Sequence, residues 1–352
     1  MSALATRIAE IISRDGPIPV SLYMSMCLHD PRDGYYATRA GFNRDFTTAP
    51  ETSQVFGELI GLWAAQTWLA MGGPAKLNLI ELGPGRGTMM RDVLRVATKL
   101  PDFSAALDVT LVEASPLLRA AQRELLAGHA IRHVDSIDAA SAGPAIILAN
   151  EFLDCLPIRQ FVRADGAWRE RQVGLGAEGK LLFGLGPSTE LPAGLAPSGD
   201  EAEFAPGLEA VVDVLANRFA TNSGCALFID YGPANATPSD TLRAYSEGRQ
   251  AHPLADSGGS DLTADVDFAR LRLLATKEGL EVHGPVPQGV FLASLGIHER
   301  RHALAAANPA RADEITRAVE TLVSPQQMGE RFKVMVIGSP GLGAPSGFAE
   351  QG

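Results

Sequence analysis

The chain has 352 residues, 46% of them hydrophobic and 20% charged, with a formal net charge of −11. This is enough apolar material for a core, and it excludes a protein that coats nucleic acid, which needs clustered cations against phosphates. The three cysteines, Cys27, Cys155 and Cys225, lie far apart, which fits a reducing compartment and excludes a disulfide framework or a CxxC metal site.

The opening stretch MSALATRIAEIISRDGPIP sets Glu10 and Asp15 among apolar positions. It reads as an amphipathic helix from Ala3 to Ser13, not as a secretory or transit signal. No apolar run reaches the ~20 residues that span a bilayer. The expectation is a bacterial-type cytoplasmic protein with no membrane insertion; a processed protein of the mitochondrial matrix would read the same. A second helix is expected from Val20 to Leu28 and a third from Ser53 to Met71, where Val55, Leu59, Leu62, Trp63 and Leu69 recur mostly at three- and four-residue intervals. Residues 1–72 are read together as a helical cap or lid.

Strand and helix then alternate. LNLIEL (77–82), LDVTLVEAS (107–115), IRHVDS (131–136) and AIILANEFLD (145–154) are strands, with helices TMMRDVLRVATKL (88–100) and PLLRAAQRELLA (116–127) between them. This pattern predicts a parallel sheet covered by helices, a Rossmann-like core over 73–158 and 206–338. Residues 159–205 break the rhythm and read as an insertion, with strands WRERQVGLG (168–176) and KLLFGLG (180–186) and a loop after them. A helix Leu208–Ala220 and the strand CALFIDYG (225–232) resume the core. Residues 233–262 read as a polar loop on the substrate side. A helix from Asp265 to Glu278, another near 311–323 and a last strand RFKVMVIGS (331–339) follow, and the Gly/Ala/Pro-rich tail, 339–352, is expected to fray.

The stretch ELGPGRGT (81–88) follows the first core strand. It lacks the lysine of a phosphate-binding P-loop. Gly83, Gly85 and Gly87, with Pro84 between, fall as GxGxG, not as the GxGxxG of dinucleotide sites. Glu81 stands at the mouth of this turn, where a carboxylate would repel pyrophosphate but suits an ammonium. S-adenosyl-L-methionine carries an ammonium, a sulfonium and no phosphate. Glu113 ends the second strand, where it can take ribose hydroxyls. Asp135, followed by Ser136, ends the third, where it can receive an adenine amino group, and Asn150 and Glu151 end the fourth. Polar groups at successive strand ends mark the edge where open α/β sheets bind ligands.

The stretches DGYY (33–36), DFTTAPETSQVFGELIG (45–61), ELGPGRGT (81–88), NEFLDCLP (150–157), IDYG (229–232), DLTADVDF (261–268) and MGERFKV (328–334) occur in order. Together they resemble the MidA-type methyltransferase family, which includes a mitochondrial complex I assembly factor that methylates an arginine. One departure is Arg44, where the family usually has glycine before DFTTAPE. The resemblance implies a class I S-adenosyl-L-methionine-dependent fold with a seven-stranded, mostly parallel sheet, an N-terminal helical cap and insertions. It implies symmetric dimethylation of an arginine on the large catalytic-arm subunit of NADH:ubiquinone oxidoreductase. The expected partner is thus a protein substrate, and a homodimer is compatible with the reading. In DFTTAP, Thr47 and Thr48 are expected beside the cofactor, and Tyr35–Tyr36 read as part of the lid or as packing rings.

A guanidinium must be held by carboxylates while one nitrogen is turned toward the methyl. Glu151 is the first candidate for that clamp and Asp230 the second, with Asp154 and Asp265 behind them. For Asp265 the alternative is a helix start capped by Thr263, with acids in its first turn. Asp154 reads equally as a solvated acid. Two other functional classes stay open: a protein that binds the cofactor without chemistry, and a zinc hydrolase using HERRH (298–302), which matches HExxH. Against the second stand the intervening Arg300–Arg301 pair and the lack of a downstream histidine as third ligand. No metal is expected.

Overall fold

The computed structural model describes residues 2–38, 48–236 and 239–348. The helix α1 (Ala3–Asp15), α2 (Val20–His29) and α3 (Gln54–Ala70) lead into the strand β1 (Leu77–Leu82). Then come α4 (Thr88–Ala97), β2 (Leu107–Val112), α5 (Pro116–Leu125), β3 (Ile131–Val134) and β4 (Ala145–Asn150). After the insertion follow α6 (Gly207–Phe219), β5 (Gly224–Tyr231), α7 (Phe268–Lys277), β6 (Glu281–Pro287), α8 (Ile297–Ala307), α9 (Ala312–Val323) and β7 (Phe332–Gly338). The core sheet has seven strands in the order β3-β2-β1-β4-β5-β7-β6. Strands β3 to β5 run parallel, and β7 is antiparallel to both of its neighbours. This is the class I methyltransferase architecture that the alternation and the resemblance predict.

The central strands are apolar throughout because both faces are covered. Leu77 and Leu79 of β1, Ile146 and Leu148 of β4, and Leu227 and Ile229 of β5 pack toward α3 and α4. The intervening residues Ile80, Ile147 and Phe228 pack toward α1, α2, α6 and α7. Ser53 caps α3 by accepting the Val55 N–H at 3.3 Å. That helix buries Phe56 and Trp63, each worth about 1.5–3 kcal/mol on burial. A Cβ on Gly61 would stand 2.9 Å from the Val93 Cα, so glycine lets α3 lie directly on α4. Residues 54–70 are therefore a covering layer of the sheet, not part of a separate cap.

Other boundaries also differ from the sequence reading. The insertion holds four strands, Arg159–Ala164, Ala167–Leu175, Leu181–Thr189 and Glu201–Phe204, and takes a fifth, Ile18–Pro19, from before α2. Within residues 233–262 and just beyond, Arg243–Ser246, Arg249–Ala251 and Asp261–Thr263 form a small antiparallel sheet. Thr263 thus lies in a strand; Asp267 caps α7, accepting the Arg270 N–H at 2.8 Å. The tail does not fray through residue 348. Trp63 Nε1 donates to the Ser346 carbonyl at 3.1 Å, and the Phe348 ring lies 5.4 Å from that of Phe291. Among the described residues no helix is long and apolar enough to cross a membrane. Arg44 and Thr47 lie outside the described residues.

Candidate active site

A cavity of about 640 Å³ opens at the carboxyl ends of β1, β2 and β4, within the usual size of small-molecule sites. It lies where the strand order reverses between β1 and β4. Gly83, Gly85 and Gly87 sit at φ of 59°, 53° and 87°, so each of the three turns the backbone through the left-handed region. Gly87 is the residue before α4.

Glu81 is 3% exposed, and its Oε2 has no hydrogen-bond partner. Burial pushes its carboxyl up to about 8. A buried carboxylate with an unused oxygen is costly unless a donor or cation meets it, and the Glu81 side chain lines the cavity. At the end of β2, Glu113 accepts the Ser115 N–H at 2.8 Å. Burial raises its carboxyl as well. Asp135 stands at the rim with Ser136, largely exposed and paired with Arg119 at 2.7 Å. The Arg119 Nε also donates to the Glu113 carbonyl at 2.6 Å, so one guanidinium ties the ends of β2 and β3. Asn150, Pro84 and Thr48 line the cavity too.

Glu151 adopts φ of 51°, a left-handed conformation that costs a residue with a Cβ about 1–2 kcal/mol. Such outliers persist where the surroundings fix them and cluster at functional sites. Its Oε1 accepts from Asn150 Nδ2 at 3.0 Å and from the Ala49 N–H at 3.3 Å. Burial, reinforced by nearby Asp154, pushes the Glu151 carboxyl up to about 8. Asp154 lines the same cavity and is raised by burial, against the hydrogen bonds it accepts from Tyr231 at 2.6 Å and Thr263 at 2.9 Å.

Two residues expected to touch substrate stand elsewhere. Asp230 does not line the cavity: it is 1% exposed, and its Oδ2 accepts the N–H groups of Phe152, Leu153 and Asp154 at 3.1, 2.9 and 3.2 Å. Its Oδ1 accepts the Tyr231 N–H at 2.9 Å, so both oxygens are engaged beneath the turn, away from the cavity. Asp265 lines a separate small pocket beside Glu203 and Asp267. The HERRH segment begins α8, where His298 and His302 are exposed. Arg300 turns back to Glu58 through bonds of 2.8 and 3.1 Å, and Arg301 lies 3.0 Å from His302 Nε2. Among the described residues no group of three or more His, Cys, Asp or Glu side chains is placed to hold a metal.

The sequence reading missed Gln122, which is fully buried on α5. Its Nε2 donates to the Gly85 carbonyl at 2.6 Å, and its Oε1 lies 2.9 Å from His133 Nε2. The available signal was a glutamine four residues after the core residue Leu118, on the same helix face. His29 and Tyr36, with rings 5.6 Å apart, also line the cavity, whereas Tyr35 is a core residue.

These groups fit S-adenosyl-L-methionine. The orphaned Glu81 oxygen suits its ammonium, and the glycine turn leaves room for the ligand beside it. Comparison with known proteins agrees. Residues 59–286 match the family model of S-adenosyl-L-methionine-dependent methyltransferases. The mitochondrial protein arginine methyltransferase NDUFAF7 of Danio rerio is 36% identical, over 94% of this chain and 86% of its own. The Homo sapiens protein of that name is 34% identical, over 93% and 81%. A crystal structure from Burkholderia thailandensis bound to S-adenosyl-homocysteine matches with a TM-score of 0.85 at 28% identity, covering 99% of this chain and 95% of that one. With a family model spanning most of the chain and relatives above 30% identity along nearly all of it, this chain belongs to the S-adenosyl-L-methionine-dependent methyltransferases and is an enzyme of that family.

Proposed function

We propose that the methyl acceptor is an arginine guanidinium on a protein, held in the cavity by Glu151 and Asp154. The observation that carries this is the placement of two carboxylates, half-buried Glu151 and buried Asp154, in the cavity that the glycine turn also lines. The names of the relatives support it. The family resemblance makes the protein partner the large catalytic-arm subunit of NADH:ubiquinone oxidoreductase, and the enzyme then works in the compartment where that subunit is assembled.

When bound, S-adenosyl-L-methionine supplies a methyl group on a positively charged sulfur. Glu81 would hold its ammonium, Glu113 the ribose hydroxyls, and Asp135 and Ser136 the adenine amino group, with Asn150 lining the cavity beside Glu151. Glu151 and Asp154 orient the guanidinium and balance its charge, so that placement and charge supply most of the acceleration. The acceptor nitrogen must lose a proton as it forms its new bond. Glu151, kept ionised by the guanidinium it faces, takes that proton at a carboxylate oxygen, for which burial raises its affinity.

The test is transfer of labelled methyl to the recombinant partner subunit, followed by hydrolysis and amino-acid analysis. Label in methylarginine supports the reading, and dimethylation on both terminal nitrogens supports its symmetric form. Label in lysine overturns it. Tight cofactor binding with no transfer to any protein points instead to a binder without chemistry.

A further inference from the structure

The turn that carries Glu151 and Asp154 is held from two sides by the last two residues of β5. Asp230 meets its backbone: one buried oxygen accepts three consecutive amides, Phe152 to Asp154. Tyr231 meets its side chain: the phenol donates to Asp154 Oδ2 at 2.6 Å and also touches the Thr263 hydroxyl. The tyrosine is itself fixed, with its ring edge-on to Phe332 at 5.4 Å and the Arg331 guanidinium 5.0 Å over its face. Glu151, at φ of 51°, would otherwise relax toward an ordinary backbone conformation and carry its carboxylate out of line with Asp154.

We propose that Asp230 and Tyr231 are positioning residues for methyl transfer, holding the turn so that Glu151 and Asp154 face the cavity together. The role given to those two carboxylates rests on the arginine reading above; the hold on the turn does not. Neither residue at the end of β5 touches the acceptor in this scheme. Asp230 acts through the turn that carries both Glu151 and Asp154, and Tyr231 acts through Asp154.

Two variants separate the parts. Asp230→Asn keeps an oxygen for the amides but loses the charge, and Tyr231→Phe keeps the ring packing but loses the phenol. Affinity for S-adenosyl-homocysteine should stay within about 3-fold of the unaltered enzyme in both. The kcat for the protein acceptor should fall by about 100-fold and about 10-fold respectively, with smaller changes in KM, because sub-ångström misplacement is costly in rate. In a background carrying both Glu151→Gln and Asp154→Asn, Asp230→Asn should add less than about 3-fold, and Tyr231→Phe should add as little to Asp154→Asn, since partners in one unit are not additive. Losses that multiply in full would overturn the proposal. Should Asp230→Asn fail to fold, the Tyr231→Phe and Asp154→Asn cycle decides it. Hydrogen exchange gives a readout that needs no acceptor. The amides of Phe152, Leu153 and Asp154 should exchange at least 10-fold faster in Asp230→Asn while those of Leu227 and Phe228 stay protected. Unchanged exchange overturns the hold whatever the acceptor is. An unaltered enzyme that methylates lysine would overturn the arginine reading alone, with the exchange and the cycles still deciding the positioning role.

Discussion

A Cβ placed on Gly83 would stand 3.1 Å from the Cδ2 of Phe152, so the glycine turn and the turn after β4 meet beside the cavity. Alanine at 83 would meet both a left-handed φ of 59° and the Phe152 ring. The left-handed conformation alone costs about 1–2 kcal/mol. Gly83→Ala should therefore weaken S-adenosyl-homocysteine binding by about 10-fold or more in a calorimetric titration. Unchanged affinity would show that the ligand does not use this turn.

Burial moves the Glu81 and Glu151 carboxyls from the ordinary 4.5 to about 8 in the cofactor-free protein. Between those values the folded state holds protons that the unfolded state has released, so stability falls as pH rises. The contribution is complete below about pH 4.5 and is lost as pH climbs through about 8. The melting temperature of the free protein should drop across that window, and Glu81→Gln should flatten part of the drop. Cofactor binding to the ionised Glu81 should release a proton below pH 8, visible as buffer-dependent heat. Glu81→Gln should cost about 30-fold in affinity, the size expected for a lost charged hydrogen bond of about 2 kcal/mol. A melting curve independent of pH would contradict the raised proton affinity of both groups.

The histidines of HERRH are exposed, whereas Arg300 serves the buried Glu58. His298→Ala and His302→Ala should leave methyl transfer unchanged and alter stability by no more than about 0.5 kcal/mol. Arg300→Ala should destabilise by about 1–2 kcal/mol, because it strips a partner from a carboxylate that water barely reaches. Denaturant unfolding measures both. Stoichiometric zinc uptake abolished by the histidine changes would reverse this assignment.

Phe348 and Ser346 anchor the tail to Phe291 and Trp63, and the Gly341 and Gly343 amides donate to Glu281 at 2.5 and 3.1 Å. Removing residues 340–352 should lower the melting temperature by several degrees, consistent with a loss of about 2 kcal/mol. Phe348→Ala alone should account for much of it. A truncated protein that melts with the intact one would mean the tail contributes nothing.

The parallel strands were readable because a strand buried on both faces is an uninterrupted apolar run, as in LNLIEL and AIILAN. The glycine spacing with Glu81 likewise carries its own chemistry. Asp230 shows where such reading stops. Its position at a strand end was visible, but whether it turns toward the cavity or under the neighbouring turn depends on which layer even-numbered residues of β5 face. Phe228 packs with α6 and α7, and Asp230 follows it. Thr263 looked like a cap because a threonine precedes acids and a helix. Its pairing with Arg243 places it in a strand instead, and that pairing is long-range. The strands Arg159–Ala164 and Glu201–Phe204 pair with each other across the whole insertion, so neither announces itself locally.

β7 is the final described strand, yet it sits inside the sheet between β5 and β6. A chain emerging from the ribosome therefore makes β5 and β6 well before the strand that joins them. Until residues 332–338 arrive, β5 presents a bare row of amides and carbonyls next to a hydrophobic layer, an arrangement open to pairing with other chains. Completion of the sheet thus waits on residues 332–338, which are made after every other core strand.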